Sequence, residues 1–253
     1  MPAPTLDDIR IIAYAAEVEE NDGRPVAIVH GMERAFPGLR LEWTVTDDHQ
    51  MLHLSERDAW LARVREPGGF PLICNNDDTF PVMVSGWERR AVYGPGGQAL
   101  LEVHAHLPPD AAGAAAAPDV LEAVAEAAHA FWGDATPFSA GVDIARQTKN
   151  GPSDVEPPPR GLPWLKLPRE LPSAEIPQCL GWLCYWSAAS ARIIGFPDPA
   201  RDVELLSRSR RTASGGWVVK LTGEPLDLDR PAHLDALKRA YERFPEIGGR
   251  SAR

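Results

Sequence analysis

Hydrophobic and polar positions along the first half of the chain switch repeatedly between two periods. Ile11 to Ala16 is a short apolar run of the kind that forms a buried strand. Pro25 to Phe36 has helical spacing, led in by Asp22-Gly23 and stopped by Pro37-Gly38. Leu39, Leu41, Trp43 and Val45 alternate with Arg40, Glu42, Thr44 and Thr46. That pattern predicts a half-buried strand, closed by a turn at Asp47-Asp48-His49. Ser55-Glu56-Arg57-Asp58 is an N-cap with an acid three residues on, and predicts a helix to about Arg65 with Trp60, Leu61 and Val64 inward. Phe70 to Ile73 reads as a short strand and Asn75-Asn76-Asp77-Asp78 as a turn. Phe80–Trp87 and Gln98–Leu107 read as a hairpin joined through Tyr93-Gly94-Pro95-Gly96-Gly97. The stripe Leu121, Val124, Ala128, Phe131 predicts a helix over Pro118–Trp132, entered through a loop at Ala111–Ala117. Phe138 to Ile144 is predicted to be a strand.

Residues 146–163 break the pattern. They lack periodicity, and Pro157-Pro158-Pro159 stiffens them, so they read as a Pro-rich linker. Residues 165–177 stay extended. Leu180 to Trp186 predicts a strand feeding a helix over Ala188–Ile194. Asp198-Pro199 opens a helix to about Ser207, and Gly216 to Thr222 predicts another strand. Pro231 opens a last helix with the stripe Leu234, Leu237, Tyr241, Phe244, stopped by Pro245. Hairpins mixed with helices predict an α+β fold, with helices packed on mainly antiparallel sheet. The expected layout is an acidic half over 1–145, the linker, and a second half over 164–253. One continuous domain is the alternative.

Composition narrows the class. A chain of 253 residues with 44% hydrophobic and 25% charged residues has material for a core and is not a disordered type. The net charge of −10 is uneven: residues 1–160 hold 25 acids and 12 bases, and residues 161–253 hold 11 acids and 14 bases. Such an acidic chain is not expected to bind nucleic acid through phosphates. No apolar run approaches the ~18 residues of a membrane span, and the N-terminus lacks a secretory pattern. Three cysteines, an odd number, fit a reducing cytoplasm better than a disulfide framework.

Few residues propose chemistry. Glu102, His104 and His106 share one strand face, so E-x-H-x-H is a candidate metal set, and equally the polar side of an antiparallel strand. His49 and His53 flank a turn and read as surface residues. Cys179 and Cys184 have an odd spacing that places them on opposite strand faces, and Cys74 stands alone, so buried thiols are expected. Nucleophile-elbow, phosphate-loop, dinucleotide and H-E-x-x-H motifs are absent from the sequence. Arg208-Ser209-Arg210-Arg211 is the basic cluster, at a predicted helix end where the macrodipole favours it. Trp182, Trp186 and Trp217 lie on the two second-half strands, as core packing or as an aromatic interface.

Three segments carry a resemblance. Gly181-Trp182-Leu183-Cys184-Tyr185 resembles the strand that bacterial toxin-immunity families write as G-W-apolar-x-Y. Gly215-Gly216-Trp217-Val218-Val219-Lys220-Leu221-Thr222 is similar to the glycine-led strand that follows it. Pro225-Leu226-Asp227-Leu228-Asp229-Arg230-Pro231-Ala232-His233 is similar to the opening of their last helix. The resemblance is to the immunity protein 52 family and related type VI secretion immunity families. It covers about the last 75 residues, and an uncharacterised bacterial family of this length is closer across the whole chain. It implies a cytoplasmic antidote, monomeric or homodimeric, that needs no cofactor, carries no catalytic residues, and blocks a cognate toxin of nuclease type. The first half would then supply acidic contacts to a basic toxin, with Asp47, Asp48, Asp77 and Asp78 exposed on turns. Two alternatives stay open: a metal-dependent enzyme built on Glu102, His104 and His106, and a small-ligand or scaffold module on the tryptophans.

Overall fold

Alternation in the sequence becomes one sheet in space. The computed structural model describes residues 8–19, 22–63, 69–148 and 157–250. Ten strands form a single sheet: β1 (Ile9–Ala16), β2 (Trp43–Val45), β3 (Met51–His53), β4 (Phe70–Cys74), β5 (Met83–Arg89), β6 (Leu100–Leu107), β7 (Trp132–Pro137), β8 (Leu183–Trp186), β9 (Arg210–Arg211) and β10 (Trp217–Lys220). Their order is β3-β2-β4-β5-β6-β1-β7-β8-β10-β9, with every described pair antiparallel. The helices are α1 (Arg24–Ala35), α2 (Arg57–Arg63), α3 (Ala111–Ala128), α4 (Phe138–Ala145), α5 (Ala188–Ile193), α6 (Val203–Leu206) and α7 (Pro231–Arg243). The fold is α+β, as the mixture of periods predicts. The sheet passes from β7 to β8 without a break, so strands from both halves of the chain share one set of ladders.

Registry fixes what each face carries. Ile11, Ala13, Val103, Ala105 and Ala135 are all fully buried and point to one face. On that face lie α1 and α3, with Tyr185 of β8 reaching Glu126 of α3 through its hydroxyl at 2.9 Å. Small residues let the layers approach closely: a Cβ on Gly31 of α1 would stand 3.1 Å from the Ala123 carbonyl oxygen of α3. The alanines that read as a loop, Ala111–Ala117, are the first two turns of α3. Asp110 caps it, accepting from the Gly113 N–H at 2.8 Å. Alanine is the best helix former, so that composition favours helix over loop. The helix ends early, at His129 in a left-handed conformation (φ 53°), and the chain from Trp132 is already strand.

Phe138–Ile144, predicted as a strand, is helical. Ala140 and Ile144 of α4 are buried at i and i+4, a spacing that a short apolar segment shares with strand alternation. The strand is β7 just before it, hidden in the sequence by its Gly and Pro. Strand β3 follows the Asp47–His49 turn and was not expected from its pattern. Strand β2 is shorter than the alternation from Leu39 suggests. Val64 lies outside the described residues, as do linker positions 149–156.

The opposite face of the sheet is only half covered. Over β7, β8 and β10 lie α7 and the segment before β8. Tyr241 of α7 receives the Leu180 N–H at 3.2 Å and donates to Gln147 Oε1 at 2.9 Å. Phe244 packs on Trp186 at 5.2 Å between centroids. Over β4, β5 and β6 the same face has no covering element among the described residues.

Candidate functional site

The uncovered face is built by the alternate residues of three long strands. Met83, Ser85 and Trp87 of β5 stand opposite His106, His104 and Glu102 of β6. With Leu72 of β4 they line an open groove of about 440 Å³. Trp87 is 61% exposed, and its indole N–H donates to Ser85 Oγ at 2.9 Å, which holds the ring over the strand. Trp43 and Val45 of β2 and Met51 of β3 extend this face toward the sheet edge through registered pairs. Val92 and Tyr93, in the β5–β6 connection, add exposed apolar surface at 68% and 57%. Exposed large side chains grouped this way mark an interaction site more than chance does.

Glu102, His104 and His106 do share the face, as alternation requires, yet His106 does not join the other two. Glu102 receives the Arg89 guanidinium and, at 3.2 Å, a His104 ring nitrogen. His106 turns away to Asp8 at 2.7 Å. Burial pushes the Glu102 carboxyl up, but the His104 hydrogen bond and the Arg89 charge outweigh it and hold it below the usual range. Among the described residues no group of three or more His, Cys, Asp or Glu is arranged to hold a metal.

One acid on this face escaped the sequence reading. Asp134 of β7 and His104 of β6 both register on Ile12 of β1, from its two sides. Burial pushes the Asp134 carboxyl up to about 7, opposed only in part by the Thr136 hydroxyl and the charge of His104. Its position within a strand of Gly and Pro gave no signal. The sign of its pH dependence follows. An acid whose folded pKa lies above its unfolded value costs stability as pH rises between the two values, from about 4 to about 7. Asp134→Asn is therefore expected to be more stable than the parent by about 2–4 kcal/mol at pH 8, and equal to it below pH ~4. Urea unfolding across that range checks it; parallel pH profiles for the two proteins would contradict it.

The four turn acids are exposed, but the topology separates them. Asp47 and Asp48 join β2 to β3, and Asp77 and Asp78 join β4 to β5. Strands β2 and β4 run antiparallel, with Trp43 opposite Cys74, so the two turns lie at opposite ends of the face. At ~3.4 Å per residue they stand on the order of 20 Å apart. Asp77 Oδ1 accepts from the Thr79 and Phe80 N–H groups at 2.8 and 3.1 Å and shapes its own turn.

The tryptophans are not a surface. Trp182 and Trp186 are 1% and 0% exposed, and Trp217 is partly buried against Phe196 at 5.3 Å. Three ring contacts and an indole N–H bond from Trp182 to the Thr222 carbonyl at 3.2 Å account for them as core. The exposed tryptophan is Trp87, which the sequence did not single out. Two arginines of the basic cluster are spent internally: Arg210 pairs with Asp119 and Glu122 of α3, and Arg208 with Glu204. The three cysteines are free thiols, and burial raises all three pKa values.

With this geometry in view, comparison with known proteins places the chain. The family described as Domain of unknown function (DUF5953) matches residues 20–252. The chain belongs to the DUF5953 family. No curated protein matches it. In fold it is similar to a Pseudomonas aeruginosa chain titled T6SS protein PA0821, with a TM-score of 0.58 and 15% sequence identity. The match covers 94% of this chain and 76% of that one. At that identity the likeness is one of fold. For this DUF5953 chain it means that the half-covered ten-stranded sheet sits inside an architecture found elsewhere. No helix among the described residues is long and apolar enough to cross a membrane.

Proposed function

We propose that the chain is the antidote of a toxin–immunity pair: a cytoplasmic, non-catalytic protein that binds a cognate toxin and occludes it. The observation that carries this reading is the unequal covering of the sheet. The acidic half leaves the face of β4, β5 and β6 open, with Trp87 at 61% exposure between two acidic turns. Three further points support it: the fold likeness to a T6SS protein, the three immunity-like segments of the second half, and the charge. Residues 1–160 carry a net −13, which suits a partner with a basic groove, such as a nuclease. Opposite fields speed encounter and set orientation, while aromatic anchors at the centre supply affinity.

Capture of partners from host lysate tests the proposal. The parent is expected to hold one partner in stoichiometric amount. The Trp87→Ser/Met83→Glu variant, altered only on the open face, is expected to lose it. Reversal of Asp47, Asp48, Asp77 and Asp78 to Lys is expected to weaken capture and flatten its decline with salt. Equal capture by parent and open-face variant would overturn the reading.

A further inference from the structure

We infer that the strip of open face beside the groove, where His104 and Asp134 flank Ile12, seats a single cationic group of the partner, a guanidinium or a primary ammonium. The inference rests on the open face being a protein-binding surface. Backbones of β6 and β7 lie either side of β1, about 10 Å apart at normal strand spacing. Ile12 is only partly buried, so the floor is open to solvent on this face.

The charge of His104 offsets the burial of Asp134 only in part. Its Oδ2 accepts from the Thr136 hydroxyl at 3.1 Å, and Thr136 Oγ1 in turn accepts the Trp182 N–H at 3.2 Å. Among the described residues Oδ1 has no hydrogen-bond donor and the carboxylate no ion pair. Each nearby base is already engaged. Arg89 bonds Glu102 and, at 2.8 Å, Gln178 Oε1. Arg10 lies 3.4 Å from Asp8 and over the Phe138 ring at 3.7 Å. His104 bonds Glu102. Behind the carboxylate the wall is shut: a Cβ on Gly181 would stand 2.9 Å from Asp134 Oδ2 and 2.3 Å from Thr136 Oγ1. Asp134 itself is only partly buried, so its carboxylate is reachable from the uncovered side of the sheet. A carboxylate removed from water without a cation is unfavourable, and an incoming cation relieves that cost.

The titratable groups facing Asp134 are Glu102 and His104 of β6, Arg89 of β5, Tyr14 of β1, Cys184 of β8 and Cys179 before it. Burial raises Tyr14 and both thiols, which keeps them neutral near pH 7, while Asp134 gains its charge as pH rises through about 7. That change favours a cation as pH rises.

The test uses the isolated protein with ethylguanidinium and with N-acetyl-arginine methylamide as probes, followed by carbon NMR of the Asp134 carboxyl. Saturating probe is expected to lower the Asp134 midpoint by half a pH unit or more, which corresponds to a threefold or greater preference for the ionised form. The blocked arginine is expected to bind at least as well as the free guanidinium, as a partner's side chain requires. Probe binding is also followed through the backbone amide shifts of β1, β6 and β7; Asp134→Asn should lose those shifts, while His104→Gln keeps their rise with pH. An unmoved midpoint, or an equal probe response in Asp134→Asn, would overturn the seat and leave capture of the toxin untouched. If the probes bind but no partner is captured through the open face, the antidote reading falls and the cation seat stands.

Discussion

Arg243→Ala is expected to cost about 3–5 kcal/mol, because it leaves a carboxylate buried without its cation. Asp202 has a side chain 0% exposed, and Arg243 grips it with Nε and Nη2 at 2.6 and 2.9 Å. The Asp198 N–H adds a bond to Asp202 Oδ2 at 2.7 Å, and Arg243 Nη2 also reaches the Gly195 carbonyl at 2.9 Å. One guanidinium thereby ties α7 to the loop before α6 and to the end of α5. For a chain of this size the loss corresponds to about 10 °C in melting temperature. Asp202→Leu/Arg243→Met, which removes both charges, is expected to cost less than Arg243→Ala alone. Thermal and urea unfolding decide it. A loss under ~1 kcal/mol for Arg243→Ala would mean that the pair is solvated, as surface pairs are.

Trp186→Ala is expected to have an effect of the same size, about 3–5 kcal/mol, through the cavity it leaves. Trp186 is fully buried and sits between Trp132 and Trp217 in the strand register. Its ring meets Phe196 and Phe244 edge-on at 5.1 and 5.2 Å. These contacts fasten α7 and the segment after α5 to the sheet, so their loss opens the cover over β8 and β10. Trp186→Phe should cost markedly less, since the indole N–H has no partner to lose. The expected signature is a lower urea midpoint for Trp186→Ala with exposed tryptophan fluorescence from Trp217. An unchanged midpoint would show that the cluster does not hold the cover in place.

The long strands and the last helix were legible because their periods are clean. β1, β6 and α7 alternate or stripe without Gly or Pro in the middle. The errors fall where composition and period conflict. Alanines of α3 read as low complexity although alanine favours helix. Phe138–Ala145 is too short for its period to decide, and the Gly and Pro of β7 mask a strand that ladders on both sides. The half-covered face was not legible at all. Which side of β5 and β6 stays open depends on where α7 and the segment before β8 come to rest, hundreds of ångströms away along an extended chain. For the same reason Trp87 and Trp186 cannot be told apart by sequence, although one is exposed and the other sealed. Asp134 is likewise invisible until β1 brings it level with His104.

Neutralisation of toxicity tests the central claim most directly. The captured partner is expressed alone in a sensitive bacterium, then together with the parent chain, and then with the Trp87→Ser/Met83→Glu variant. Growth arrest by the partner alone, rescue by the parent and no rescue by the variant is the predicted result. A partner that is harmless alone, or full rescue by the open-face variant, would contradict it.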